Sequence, residues 1–168
     1  MKDINILWFK KDLRIYENEA LYESLKDNDI LPIYIFETEI WNQKTHSRRQ
    51  WQFCVESVLD LRNSLKQIGQ PLIIRTGNVI KIFEEINSIF NIKGIYSHQE
   101  TGDWLSYRRD KEVKFWALNK KIIWKEYLQF SVFRGNFNRD DWSKKWKKNI
   151  ERELIKRPLR ISPIDFDF

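Results

Sequence analysis

Cysteine and histidine are scarce in this sequence, and their scarcity excludes several kinds of site. The only cysteine is Cys54, so neither an intrachain disulfide nor a cysteine-based metal cluster is available. The two histidines, His46 and His98, form no H-E-x-x-H motif, which argues against a zinc site. We therefore expect Cys54 to be an inert, packed thiol and both histidines to lie in loops or at the surface.

Long apolar runs and phosphate-binding glycine motifs are also absent. No segment approaches the roughly 20 apolar residues that span a bilayer, and the acidic Asp3 is unlike the cationic start of a signal peptide. No G-x-G-x-x-G or P-loop motif occurs, so dehydrogenase-like and kinase-like functions lose their main support. We expect a cytoplasmic protein with no membrane partner and no self-sufficient active site.

Lysine and tryptophan are abundant instead. Thirty Lys and Arg against 24 Asp and Glu give a formal net charge of +6, which favours a polyanionic partner but also occurs on ordinary solvated surfaces. The eight tryptophans are expected mostly in the core or at a domain interface. With 42% hydrophobic residues and only five glycines and four prolines, the composition is typical of an ordered globular domain.

Short apolar runs alternate with segments of helical periodicity, which is the pattern of β-α units around a parallel sheet. The five predicted strands cover residues 4–9, 30–36, 72–75, 92–97 and 122–126. Ser47 and Gln50 predict a capping box at the start of a long helix, and Gly69 followed by Pro71 predicts its end. We expect an α/β fold with a five-stranded, parallel, doubly wound sheet, Rossmann-like or flavodoxin-like, sandwiched by helices.

The alternation then stops, and a short C-terminal amphipathic helix is predicted. Asp140 and Asp141 open this helix, with Trp142 and Trp146 on one side. Four lysines interleave with the tryptophans: Lys144, Lys145, Lys147 and Lys148. This composition suits phosphate contacts with stacking, but the helical spacing favours tryptophans packed inward and lysines in solvent. We assign residues 1–150 to the α/β domain and 151–168 to the start of an interdomain linker.

The carboxyl ends of parallel strands are where such sheets bind ligands, so three loops are of interest: 10–18, 37–49 and 98–109. In the first loop, Asp12 and Arg14 are close enough in sequence to form a charge-assisted pair that stabilises the turn. Asn18 is placed to cap the helix that follows.

The same loop carries a resemblance to the DNA photolyase and cryptochrome family. The residues are Trp8-Phe9-Lys10-Lys11-Asp12-Leu13-Arg14, followed by Asn18-Glu19-Ala20-Leu21. The resemblance continues in family order through residues 98–102 and 107–110 to 138–146, and is most like a bacterial cryptochrome-like branch. Lys10-Lys11 replaces the commoner Arg-Arg, and the region of Ser106 lacks the Asn-Glu pair of folate-binding members.

The resemblance implies an N-terminal, light-harvesting domain that binds an antenna pigment and passes excitation energy to FAD. Flavin, deazaflavin or lumazine is favoured over folate, and FAD itself belongs to a C-terminal helical domain that this chain lacks. The full-length parent is implied to be a photolyase, which repairs DNA in a light-driven lyase reaction, or a blue-light-signalling cryptochrome. This domain alone is expected to be non-catalytic. The alternative is a pigment-free scaffold for the FAD domain or for a DNA or signalling partner.

The three loops provide the chemical groups that an aromatic, partly anionic pigment needs. The candidates are Phe36, Ile40 and Trp41 as apolar or stacking surfaces, Lys11 and Arg49 as cations, and Glu37 and Glu100 as hydrogen-bond partners. The alternatives are ordinary packing for Phe36 and Trp41, a surface charge for Arg49, and acceptance of backbone hydrogen bonds for Glu100. A structural salt bridge is expected for Arg109 and Asp110.

Overall fold

The computed structural model describes residues 1–129, 132, 134 and 138–165, with only the backbone at 139 and 140. Five strands alternate with helices along the chain, as the sequence predicts. The strands are β1 (Asp3–Phe9), β2 (Asp29–Phe36), β3 (Ile73–Thr76), β4 (Asn91–His98) and β5 (Ile123–Tyr127). The helices are α1 (Glu19–Ser24), α2 (Thr38–Trp41), α3 (Arg48–Gln67), α4 (Val79–Ile89), α5 (Trp104–Asn119) and α6 (Arg139–Ile150).

All strand pairs are parallel, and the strand order is β3-β2-β1-β4-β5. This is the Rossmann-like rather than the flavodoxin-like order, and it confirms the predicted doubly wound sheet. The order reverses between β1 and β4, so a crevice opens at the carboxyl ends of these two strands.

The central strand β1 contributes to two separate cores. Ile6 and Trp8 pack on one side with residues of α4 and α5, whereas Leu7 and Phe9 pack on the other with residues of α1 and α3. Successive strand residues point to opposite faces, so a strand with apolar residues on both faces is covered on both. The sheet is therefore sandwiched between two helical layers.

Two predicted helix caps are present. The Asn18 side chain accepts a hydrogen bond from Leu21 N at 2.8 Å. At the start of α3, Ser47 N donates to Gln50 Oε1 at 2.7 Å, and Gln50 N donates to Ser47 Oγ at 3.2 Å. This reciprocal pair is the predicted capping box.

The predicted Asp12–Arg14 pair is wrong. The Asp12 carboxylate is bound by His98 Nδ1 at 2.7 Å, and the Arg14 side chain donates to the backbone carbonyl of Glu17 at 3.1 Å. His98 is the last residue of β4 and is only 2% exposed, so its predicted position in a loop or at the surface is also wrong. A buried carboxylate needs a strong partner, and the neighbouring strand β4 provides one.

The side chains of α6 are more exposed than the sequence predicts. Trp142 and Trp146 of α6 stack with ring centroids 5.9 Å apart, but they are 42% and 40% exposed. The prediction that they pack inward is therefore wrong, although the four lysines of this helix are exposed as expected.

The tail beyond α6 is partly packed on the α/β domain. Ile161 and Ile164 are buried, Ile161 N donates to Ile68 O at 2.6 Å, and Ile164 N donates to Gln70 Oε1 at 2.6 Å. The linker assignment stays a prediction, and its residues 166–168 lie outside the described part of the chain. None of the described helices combines the length and apolarity needed to cross a membrane.

Candidate functional site

A cavity of about 380 Å³ lies at the carboxyl ends of β1 and β2, beside the start of α5. We call it the first cavity. The loops after β1, β2 and β4 all contribute to it, because parallel strands end at the same edge of the sheet. Its lining residues include Lys10, Lys11, Tyr34, Glu37, Ile40, Trp41, His46, Phe53, Cys54, Glu100, Asp103 and Arg109.

The polar side of the first cavity is organised by Arg109. This guanidinium forms an ion pair with Glu37, a second with Glu100 Oε2 at 2.5 Å, and a third with Asp110 Oδ1 at 3.0 Å. It also lies 4.8 Å from the centroid of the Trp8 ring. Burial opposes the charge of Arg109, but the three carboxylates outweigh it and raise the pKa of Arg109, so the side chain is held as a cation.

One guanidinium cannot neutralise three carboxylates, and the two glutamates respond differently. Burial raises the pKa of Glu37 to about 7, against the attraction of Arg109 and with added repulsion from Glu100. Burial alone would raise the pKa of Glu100 as well, but Arg109 and Lys11 bring it below its ordinary value. Near neutral pH, Glu37 is therefore the member of the cluster that holds or releases a proton.

Lys10 lies beneath this cluster and is almost completely buried. Its Nζ is 3.4 Å from Asp110 Oδ1 and 3.8 Å from Glu126 Oε1, and it stands 4.6 Å from the centroid of the Trp8 ring. Burial lowers the pKa of Lys10, while the attraction of Asp110 opposes that effect. Lys10 is thus committed to protein carboxylates rather than to a ligand.

The opposite side of the first cavity is apolar and aromatic. Ile40, Trp41 and Phe53 come from α2 and α3. The Tyr34 hydroxyl and the Cys54 thiol lie 3.1 Å apart, and burial raises the pKa of both groups. Neither group ionises readily, so this side offers packing surface and no nucleophile.

A second cavity of about 270 Å³ adjoins the first, because Trp41 and His46 line both. Its aromatic residues are in mutual contact: the Trp51 ring centroid is 4.8 Å from that of Phe36 and 5.1 Å from that of Trp41. Its remaining lining residues are Thr38, Asn42, Ser47, Arg48 and Thr76.

The seven predicted site residues separate into three groups. Lys11, Glu37, Ile40, Trp41 and Glu100 line the first cavity. Phe36 lines the second cavity. Arg49 is exposed on α3 and lines neither of these cavities.

The sequence predicts only a salt bridge with Asp110 for Arg109, and this salt bridge is present. The contacts of Arg109 with both glutamates were not predicted. Tyr34 and Phe53 also line the first cavity and were not predicted. Tyr34 lies in the apolar run of β2 and is buried, whereas Phe53 lies on α3 and is 72% exposed, and no local signal marks either residue as part of a cavity wall.

The loop after β1 is joined to the end of β4 beneath the site. Asp12, 1% exposed, also accepts hydrogen bonds from Lys10 N at 2.9 Å and from Asn18 Nδ2 at 3.2 Å. Burial opposes ionisation of Asp12, but its hydrogen bond with His98 and the charge of that residue lower its pKa. This buried pair fixes two of the three loops relative to each other.

Comparisons with known proteins agree with the fold and with the resemblance in the β1 loop. The DNA photolyase family model matches residues 5–134. The chain is 29% identical, over 94% of its length, to cryptochrome DASH of Synechocystis sp., of which it covers 35%. It is 33% identical, over 60% of its length, to chloroplastic/mitochondrial cryptochrome DASH of Arabidopsis thaliana, of which it covers 19%. The chain thus spans about a third or less of these relatives.

Solved structures show the same fold. The Synechocystis sp. cryptochrome superposes with a TM-score of 0.79 at 22% identity, over 96% of this chain and 37% of that one. An archaeal photolyase of Sulfolobus tokodaii, solved with two FAD molecules, gives a TM-score of 0.74 at 20% identity, over 96% of this chain and 38% of that one. The family match and the strand order agree, and the chain belongs to the DNA photolyase and cryptochrome family, in which it corresponds to the N-terminal α/β domain.

Proposed function

We propose that this domain binds a light-absorbing antenna pigment in the first cavity and passes the excitation energy to FAD in a C-terminal domain. The observation that carries the proposal is the cavity itself, which has an aromatic wall on one side and a charge-compensated hydrogen-bonding surface on the other. A volume of about 380 Å³ lies in the range of small-molecule sites. A planar fused heterocycle matches both surfaces.

Two contacts fit the ring of such a pigment. The Trp41 and Phe53 side offers area for stacking, which is favourable for any extended aromatic system. Burial raises the pKa of Glu37 to about 7, and in its protonated form the carboxyl group both donates and accepts hydrogen bonds, which is the complement of a lactam N–H next to a carbonyl. Flavin, deazaflavin and lumazine rings all carry that edge, and we favour them over folate.

We further infer that the partner of this domain is the FAD-binding domain of the same protein. The curated relatives above are about three or more times as long as the aligned part, so they contain room for such a domain. Under this proposal the full protein repairs DNA in a light-driven reaction or signals in response to blue light, and DNA contacts belong to the full protein. No residue of the domain is assigned a catalytic role.

A second candidate function is a pigment-free scaffold. The exposed, stacked pair Trp142 and Trp146 favours it, because two half-exposed indoles on one helix form a surface that can pack against a partner. A scaffold would need no open cavity at the sheet edge.

Ligand binding distinguishes the two candidates. The protein is purified in the dark and titrated with riboflavin, FMN, a deazaflavin, a ribityl lumazine and a folate, and absorption and fluorescence are recorded. We expect a stoichiometric complex with at least one of the first four. Trp41→Ala should weaken that complex about tenfold through lost stacking. Phe115→Ala, on the exposed side of α5, is the matched control and should leave it unchanged. If no pigment binds, also when the FAD-binding domain is present, the scaffold function is favoured.

A further inference from the structure

Helix α6 presents nearly all of its surface to solvent. Among its described side chains, which are those of residues 141–150, Asn149 is half-buried and all the others are exposed. A helix of 12 residues is only marginally stable in water unless something packs against it. The surface of α6 is therefore open to a partner, and its chemistry indicates which kind.

One face of α6 is aromatic. Trp142, Trp146 and Ile150 follow one another at intervals of four, and residues at this spacing lie on the same face of a helix. The two indole rings stack on each other, with centroids 5.9 Å apart and planes inclined by 24°. They are 42% and 40% exposed, so the pair forms an accessible aromatic platform.

Lysines border this platform on both sides. At about 100° per residue, Lys145 lies about 60° from Trp142 around the helix axis. On the other side, Lys147 lies about 100° from Trp146. Both lysines are exposed, and the pair that Lys147 forms with Glu151, at 3.6 Å, is a weak surface pair. Two long cationic side chains can thus reach an anion that lies along the platform.

The positive charge of the chain is concentrated in the same region. Residues 139–160 contain nine of the 30 lysines and arginines but four of the 24 acidic residues, which gives this stretch a formal charge of +5. The other 146 residues together contribute only +1. The electrostatic partner of this region is therefore a polyanion.

A polyanion that also carries flat aromatic rings fits this surface best. Single-stranded nucleic acid has both, and its base faces are accessible, whereas neighbouring base pairs cover them in a duplex. A protein partner fits less well, because lysine is depleted at the cores of protein interfaces. Trp146 also borders a third cavity, of about 350 Å³, between α6 and the loop after β1, so a base has room beside its ring.

We propose that α6 binds single-stranded nucleic acid, with bases stacked on the Trp142 and Trp146 platform. Lys145 and Lys147 hold the phosphates on either side. Such binding tolerates any sequence, because every base has a face that can stack, and it weakens steeply with salt. It is separate from pigment binding in the first cavity and does not depend on the proposed function.

Fluorescence anisotropy of a labelled oligothymidylate of about 12 nucleotides, titrated with the wild-type chain, tests the proposal. Trp142→Ala and Trp146→Ala should each weaken binding about tenfold, and Trp146→Phe should restore most of the loss. Trp104→Ala is the matched control, because Trp104 is 67% exposed but lies on α5, and it should bind like the wild type. A duplex of the same length should bind less tightly than the single strand.

Two pairs of lysines test the electrostatic part. Lys145 and Lys147 border the platform, whereas Lys144 and Lys148 lie on the opposite face of α6. Replacing the first pair by glutamine should reduce the slope of log affinity against log salt concentration by about 1.4, which corresponds to two phosphate contacts on a single strand. Replacing the second pair removes the same charge and should change the slope much less. Because all four side chains are exposed, thermal unfolding should be the same in both double variants as in the wild type.

Several results would overturn the inference. Failure to bind the oligonucleotide at low salt would do so, and so would equal losses in the two lysine pairs or in Trp104→Ala and Trp146→Ala. A duplex that binds as tightly as the single strand would indicate phosphate contacts without stacking. Self-association of the chain that Trp146→Ala abolishes, without oligonucleotide binding, would identify α6 as a protein-docking surface instead.

Discussion

Replacing Glu37 by glutamine should make the protein more stable than the wild type at pH 8 but not at pH 4. Glu37 is 15% exposed on its side chain and shares Arg109 with two other carboxylates. Burial raises its pKa from the ordinary 4.5 to about 7. A carboxyl group whose pKa is raised in the folded state favours folding while it is protonated, and this contribution is lost as the pH rises through the folded-state pKa.

The magnitude follows from the two pKa values. Raising a pKa from 4.5 to about 7 corresponds, at about 1.4 kcal/mol per pH unit, to about 3 kcal/mol. Between these pH values the unfolded chain has lost the proton that the folded chain keeps, so the unfolding free energy of the wild type falls with pH. Glutamine cannot ionise, and Glu37→Gln lacks this part of the slope.

Urea unfolding of both proteins at half-unit intervals from pH 4 to pH 8.5 measures the effect. As the pH rises, the unfolding free energy of Glu37→Gln should increase by about 3 kcal/mol relative to that of the wild type, mostly between pH 4.5 and 7. The control is Glu39→Gln, since the Glu39 side chain is 68% exposed and forms only a surface pair with Arg108. Two results would show that Arg109 outweighs burial at this site. One is a difference in unfolding free energy that does not vary with pH, and the other is a wild type that becomes more stable relative to Glu37→Gln as the pH rises.

Two further substitutions test the packing around the site. Asp12→Ala should lower the unfolding free energy by about 3 kcal/mol, because it leaves the buried His98 without its carboxylate partner. Chemical denaturation measures this loss, and a loss below about 1 kcal/mol would contradict the prediction. Gly69→Ala should be more destabilising than Gly77→Ala. Both glycines have positive φ, at 116° and 136°. A Cβ at position 69 would overlap the backbone carbonyl of Ile161, whereas a Cβ at position 77 would only make an ordinary contact with Ile82 Cδ1 at 4.0 Å. Equal thermal midpoints for the two variants would contradict this prediction.

The order and type of the elements were predictable because they depend on neighbouring residues in the sequence. Strand β2, for example, is apolar in nearly every position, which identifies a strand buried on both faces. The caps at Asn18 and Ser47 are likewise local, since each side chain reaches a backbone amide three residues away. Short α2 was not predicted, because four residues carry too little periodicity to indicate a helix.

The partners of the charged residues were not predictable from the sequence. Asp12 lies two positions from Arg14, yet its partner is His98, 86 residues away. Two cations that are equivalent in the sequence, Arg48 and Arg49, differ because the turn of the helix brings only the first to the second cavity. Contacts of this kind depend on which strands lie side by side.

The sequence by itself determined the α/β class, the sheet edge where the candidate site lies and five of the residues that line the first cavity, because periodicity, capping and strand ends are properties of adjacent residues. The tertiary structure decided that Arg109 is the centre of the site. It brings two glutamates to the same guanidinium: Glu37, which follows β2 and is 72 residues from Arg109 in sequence, and Glu100, which follows β4 and is 9 residues from it. The pKa of Glu37 depends on its burial and on its nearness to Arg109 and the other carboxylates. No local sequence pattern indicates either of these.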